Sequence, residues 1–323
     1  MSIAFSPVSI GSLTLKNRIV LPPMQQYQGS TDGFATEYHQ HHYARRARGG
    51  VGLVIIESTA VAPEGRLMTD DIGLFSEAHV APLAAVAAAV RAENVPVFVQ
   101  LSHGGRKSVP HGGGVLLAPS RIAYDDCYGL PEAMSAEAIA VAIEAFGTGA
   151  RRAVAAGFDG VELHAAHGYL LHQFLSPLSN RREDGYGGSP ERRWRLLAEV
   201  IGAVRAAVGP AVPVTIRVSA SDHAAGGLEP EVVAEALQAL VPLGLDAVHV
   251  SSGGLLPAPP PETGPGYQVR YAEAIRRKMK VPVIAVGQIR TREQVEDILV
   301  QGRADLVAIG RPLLIYPDLS RVL

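Results

Sequence analysis

VPVIAVGQIRTREQVEDILVQGRADLVAIGR, residues 281–311, sets two β-branched apolar runs, VPVIAVGQ (281–288) and ADLVAIGR (304–311), either side of a helical pattern. Each run is apolar almost throughout rather than alternating, as expected of a parallel strand covered by helices. Towards the N-terminus the same kind of run recurs as RIVLPPM (18–24), GLVIIEST (52–59), VPVFVQLSH (95–103), GVELHAAH (160–167), PVTIRVS (213–219) and DAVHVSS (246–252). Helical patterns separate them, among them 135–157 and 189–209; the second starts on Ser189 as N-cap with Pro190 behind it. Eight strand-then-helix units without a second zone of composition predict an α/β fold, a single (β/α)8 TIM barrel, with residues 1–323 as one domain. A doubly wound sheet is the rival, but no glycine fingerprint stands near the start. Two loops are long, 104–134 and 252–266, and loops of that length usually shape a site. The glycine-bearing stretches Gly104 to Lys107 and Gly112 to Gly114 in the first are explained equally well by turns.

Composition narrows the function. Of 323 residues 47% are apolar, enough for a substantial core, and a net charge of −2 with dispersed Lys and Arg predicts no nucleic-acid partner. A single cysteine excludes an internal disulfide framework and points to a reducing, cytoplasmic compartment. The N-terminus lacks a basic segment leading into an apolar one, and the run ending at Arg91 is too short to span a bilayer, so no membrane partner is expected.

In a barrel, the C-terminal strand ends line the active site. Here those ends carry Met24, Gln25 and Tyr27; Ser58 and Thr59; Gln100 and His103; His164 and His167; Arg217; Ser251 and Ser252; Gly287 and Gln288; Gly310 and Arg311. Polar residues at end after end favour a ligand-lined mouth over chance packing. Gly287 and Gly310 allow close backbone approach to an anion and Arg311 adds a cationic fork, which fits a phosphate site after strands seven and eight.

VELHAAHGYLLHQF (161–174) concentrates three of the eleven histidines. A zinc site is one reading, yet HEXXH is absent and no adjacent Cys or carboxylate completes a tetrahedral set. Asp222 and His223 on the next unit keep metal open at this point, although no metal is the expectation. Two neutral imidazoles, His164 and His167, can instead donate to one acceptor oxygen, and Tyr169 offers a phenolic proton beside them. His172 reads as a helix-surface residue or one behind the site.

NRIV, PM and Tyr27 near the start, QLSHGGRK, VELHAAHGYLLHQFLSPLSNRREDGYGGSPERRWR, RVSASD and GRADLVAIGR together resemble the old yellow enzymes, FMN-dependent ene-reductases built on a TIM barrel. The likeness runs along essentially the whole chain and favours the bacterial, thermophilic-like branch. It implies that FMN binds non-covalently and that NADPH or NADH donates hydride through the substrate pocket to reduce the activated C=C bond of an enone or enal. His164 and His167 would hold the carbonyl oxygen, Tyr169 would protonate the α carbon, and Tyr27 would border the substrate. Gln100 would meet the pyrimidine edge of the flavin, Arg217 its N1/O2 edge, and Ser58 would approach from strand two. Gly287, Gly310 and Arg311 would take the phosphate, with Pro23, Met24, Gln25, Ser252, Gly253 and Gln288 completing the cofactor set. Lys107 matches a loop lysine near the cofactor.

Three departures stand out. Gln25 replaces the cysteine usual in this branch, and is expected to bond the flavin O4/N5 edge and shift its potential. Pro22 replaces a commoner small residue. The sequence ends at Leu323, whereas many relatives in the branch extend further and lend a C-terminal arginine to the neighbouring subunit. A homo-oligomer of this chain is therefore expected to lack that arginine in trans. Alternatives within the scaffold are a flavin-dependent desaturase or isomerase, and outside it a metal-dependent hydrolase or aldolase.

Overall fold

A computed structural model describes residues 2–109 and 114–321; Gly112 and Gly113 lie outside the described residues. All eight apolar runs form strands: β1 (Ile19–Leu21), β2 (Leu53–Ala60), β3 (Val97–Ser102), β4 (Gly160–Ala165), β5 (Val214–Ser219), β6 (Ala247–Ser251), β7 (Val283–Ala285) and β8 (Leu306–Ala308). They close into a barrel in chain order, and every neighbouring pair is parallel. Helices α1 (Glu37–Arg48), α2 (Val80–Arg91) and α3 (Ala136–Ala155) follow the first three strands in turn. After β4 come α4 (Leu170–Leu175) and α5 (Pro190–Val208). Then α6 (Pro230–Leu240), α7 (Val269–Arg276), α8 (Arg292–Val300) and α9 (Arg311–Ile315) each follow one strand. None of the described helices is long and apolar enough to cross a membrane.

Local chemistry sets the element ends. Ser135 and Ser189 accept hydrogen bonds from the Ala138 and Arg192 amides and so cap α3 and α5, each cap contributing about 1 kcal/mol. Strands β1, β7 and β8 are shorter than their apolar runs. Pro22 and Pro23 have no N–H to give a neighbouring strand, which ends β1. Gly287, at φ 129°, turns the chain out of β7.

An element the apolar runs did not announce closes the N-terminal end of the barrel. Val8–Ile10 and Leu13–Leu15 pair as an antiparallel hairpin around Gly11 at φ 54°. Its Ile10 and Leu15 are fully buried against Val20, Leu53, Ile55, Phe98, Ala247, Ile284, Leu306 and Ala308, which fill the lower lumen. Burying side chains of this size stabilises by about 1.5–3 kcal/mol each. The larger core lies between the barrel and its helices. Above the apolar plug the inward positions turn polar, and the site begins there.

Candidate active site

Side chains alternate across a strand, so polar residues two apart share the lumen face. On β4 these are Glu162 and His164, on β5 Thr215, Arg217 and Ser219, on β6 His249 and Ser251. The register sets His164, Arg217 and His249 side by side across three strands. Gln100 of β3 stands opposite Glu162 and, across an irregularity in β2, beside Ser58.

Beyond β4 the chain makes a turn that two consecutive residues hold in the left-handed region, His167 at φ 57° and Gly168 at φ 75°. Glycine is required at 168, because a Cβ there would lie 2.2 Å from the Gly254 carbonyl oxygen. A non-glycine in this conformation costs about 1–2 kcal/mol, and the surroundings hold it. The His167 amide donates to Ser219 Oγ at 3.0 Å, and its carbonyl accepts from Lys107 Nζ at 3.0 Å. Lys107 also donates to the Gly254 carbonyl at 3.2 Å and lies 5.2 Å over the Tyr169 ring. Burial, with Arg106 beside it, brings the Lys107 ammonium down to about 8.

This turn fixes both imidazoles. The Ala166 amide donates to His164 Nδ1 at 3.3 Å, which leaves the proton of His164 on Nε2. That nitrogen faces His167 Nδ1 at 3.4 Å, while His167 Nε2 lies 2.7 Å from Ser251 Oγ. A serine hydroxyl can donate as well as accept. With Ser251 donating, His167 carries its proton on Nδ1, and two N–H groups converge on one point. Burial first, then the Arg217 charge, pushes both histidines well below their ordinary pKa, so both are neutral donors. The Tyr169 ring centroid lies 4.6 Å from that of His164. Burial raises the phenol, which keeps its proton.

His172 is not on a helix surface. It is fully buried, its Nδ1 accepts from the Gly168 amide at 2.9 Å, and its Nε2 lies 2.9 Å from Asp222 Oδ1. It buttresses the turn from behind. Asp222 Oδ2 accepts from Ser176 Oγ and the Leu228 amide, so this carboxylate is committed to structure.

On the other side of Arg217, a cavity of about 660 Å³ is lined by Pro23, Met24, Arg217, Gly287, Gln288, Gly310 and Arg311. The structure thus gathers seven residues that the sequence reading assigned to a cofactor. Tyr267 and Gln268 also line it; they close the long loop after β6, whose length was the only signal of their role. A Cβ on Gly310 would lie 3.2 Å from Met24 Sδ, so glycine keeps this wall open. Arg217 Nη1 reaches the Pro23 carbonyl at 3.4 Å, but its Nε, the Gln268 Oε1 and the Ser252 Oγ are buried without partners. Buried polar atoms are usually paired, and a bound ligand would satisfy these three. The donor set, one fixed guanidinium, amides and a glycine-bordered end with Arg311, fits a flat polar heterocycle carrying an anionic tail. Gly253 sits beside rather than in this cavity, its carbonyl accepting from Ser219 Oγ at 2.8 Å.

Gln25 and Tyr27 lie on the loop after β1. Tyr27, at φ 56°, is half exposed. The Gln25 amide donates to Asp71 Oδ1, and its Oε1 is buried without a partner. Asp71 Oδ2 accepts from the Leu67 and Met68 amides, yet burial outweighs these bonds and lifts the carboxyl to about 6. The folded state therefore holds this proton more tightly than the unfolded chain, and stability falls as pH rises from about 4 through about 6. Relative to wild type, Asp71→Asn is expected to gain about 2 kcal/mol between pH 4 and pH 7. Urea unfolding at a series of pH values measures this, and a pH-independent difference would contradict it.

Residues 4–323 match the model of the NADH:flavin oxidoreductase / NADH oxidase family. The NADPH dehydrogenase of Geobacillus thermodenitrificans is 45% identical over 318 residues, 98% of this chain and 92% of that protein. The NADPH dehydrogenase of Bacillus subtilis is 43% identical, covering 98% and 93%. Among solved structures, the old yellow enzyme homologue from Zymomonas mobilis superimposes with a TM-score of 0.85 at 30% identity, covering 98% of this chain and 91% of that one. Morphinone reductase in complex with tetrahydroNAD does so at 0.84 and 30%, covering 99% and 90%. The chain belongs to the NADH:flavin oxidoreductase / NADH oxidase family, and is an NAD(P)H-dependent FMN oxidoreductase of the old yellow enzyme type.

Proposed function

We propose that this enzyme reduces the activated C=C bond of α,β-unsaturated carbonyl compounds. The observation that carries the reading is the pair of neutral imidazole nitrogens, 3.4 Å apart, with a protonated phenol beside them. Bound FMN supplies the hydride chemistry, with NADPH or NADH as the source of electrons. Pro23, Met24, Gln25, Ser58, Gln100, Arg217, Ser252 and Gly253 would hold its ring and ribityl chain; Gly287, Gln288, Gly310 and Arg311 would hold its phosphate. His164 Nε2 and His167 Nδ1 donate to the substrate carbonyl oxygen, which draws electron density from the β carbon and stabilises the enolate formed there. Tyr169 delivers a proton to the α carbon, and Tyr27 borders the substrate. Lys107 and Ser219 hold the turn so that these donors need no rearrangement on binding. Residues 1–323 form one FMN-binding domain in this reading, and the single cysteine suits a reducing cytoplasm.

Anaerobic mixing tests it. NADPH is expected to bleach the yellow holoenzyme, and cyclohexenone to restore the colour with one enone reduced per flavin. Bleached enzyme that reoxidises only with oxygen would overturn the substrate class.

A further inference from the structure

Beside Arg217, three buried polar side chains from β3, β4 and β6, Gln100, Glu162 and His249, form a chain, and the chemistry above leaves Glu162 and His249 unused. Glu162 accepts from Gln100 Nε2 at 2.9 Å through one carboxylate oxygen and meets His249 Nδ1 at 3.0 Å with the other. Glu162 and His249 are wholly shielded from solvent, and Gln100 is 1% exposed. A carboxylate so placed costs several kcal/mol in desolvation, which its partners must offset. Were orienting Gln100 its sole task, a neutral acceptor would serve at lower cost. Arg217 stands next to His249 in register. Burial disfavours the Arg217 charge, and Glu162 is the foremost field opposing that effect.

The geometry has two chemical consequences. A carboxylate attracts the amide NH2 of Gln100 and repels its oxygen, so the carbonyl of Gln100 is the atom left to meet a ligand. The negative charge also opposes Arg217 within a medium that screens poorly. We propose that Glu162 is a positioning residue of the flavin site: it presents the Gln100 carbonyl to the cofactor and, with His249, holds a counter-charge against Arg217. This rests on the placement of the flavin ring at Gln100 and Arg217 proposed above. Arg217 favours the electron-rich reduced flavin; Glu162 tempers that preference and keeps hydride donation to substrate downhill.

The test is the midpoint potential of the bound flavin, measured by anaerobic dye equilibration of the holoenzymes. Glu162→Gln can still accept from Gln100 and donate to His249, but carries no charge. It is expected to favour the reduced flavin at least tenfold, an upward shift of about 30 mV for a two-electron couple. A residue that served packing alone would change the unfolding temperature and leave the potential where it was, and that result would overturn the proposal. If Glu162→Gln fails to accumulate as holoenzyme, Glu162→Asp keeps the charge but retracts it from Gln100. Its FMN dissociation constant is then expected to rise at least tenfold, and an unchanged constant overturns the proposal. Arg217→Gln separates the two readings. A lowered potential in that variant with an unmoved one in Glu162→Gln rejects Glu162 alone, whereas an unmoved potential in both rejects the flavin placement and the proposal with it.

Discussion

Tyr169→Phe is expected to slow reduction of an enone by about 10²- to 10⁴-fold, the range general-acid catalysis supplies, while bleaching by NADPH proceeds at the wild-type rate. The two half-reactions differ in one respect that matters here: only the second places a proton on carbon. Tyr169 is suited to that step because burial keeps its phenol protonated throughout the working pH range. Its ring is held against His164 on one side and under the Lys107 ammonium on the other. Phenylalanine preserves both contacts and removes only the hydroxyl, so misfolding does not account for the loss. Anaerobic stopped-flow resolves the halves. Equal slowing of both would reduce Tyr169 to a wall of the pocket.

The His164→Ala/His167→Ala double variant is expected to lose about 10²- to 10⁴-fold in affinity for phenols, ligands that offer one oxygen to the paired N–H groups. Hydrogen bonds to a charged oxygen contribute about 1.5–3 kcal/mol each, and two are removed. FMN is expected to stay bound, since the cavity from Met24 to Arg311 is lined by neither histidine. Optical titration of the holoenzyme with a phenol follows the long-wavelength charge-transfer band. Because both imidazoles are held neutral, wild-type phenol affinity is expected to track the ionisation of the phenol, without a further step near the ordinary histidine value. Undiminished phenol binding in the double variant would place the oxygen elsewhere.

Much of this architecture was legible before any coordinates. Parallel strands covered on both faces must be apolar for several residues, and that pattern located all eight. It overran β1, β7 and β8 because Pro22, Gly287 and Gly310 belong to the mouth while their apolar neighbours prolong the pattern. The hairpin at residues 8–15 was missed because its three-residue strands are too short to stand out, although Gly11 and Ser12 sit between alternating residues. In the site, His164, His167 and Tyr169 are neighbours in sequence and one turn brings them together. Glu162 and His249 are 87 residues apart, and only the barrel register pairs them. The polar residue two before His164 was the available signal. His172 read as a helix-surface residue or one behind the site, and only its fold against Asp222 decides for the second. Gln25 presents the same difficulty, since its partner Asp71 lies on another loop.

The hairpin has a kinetic meaning as well as a structural one. With Ile10 and Leu15 stoppering its N-terminal end, the barrel is a blind well, and whatever enters through the mouth must leave the same way. In the proposed reaction, nicotinamide and enone would then take turns at a single doorway. Double-reciprocal plots are accordingly expected to run parallel, and an excess of either reactant to shut out the other.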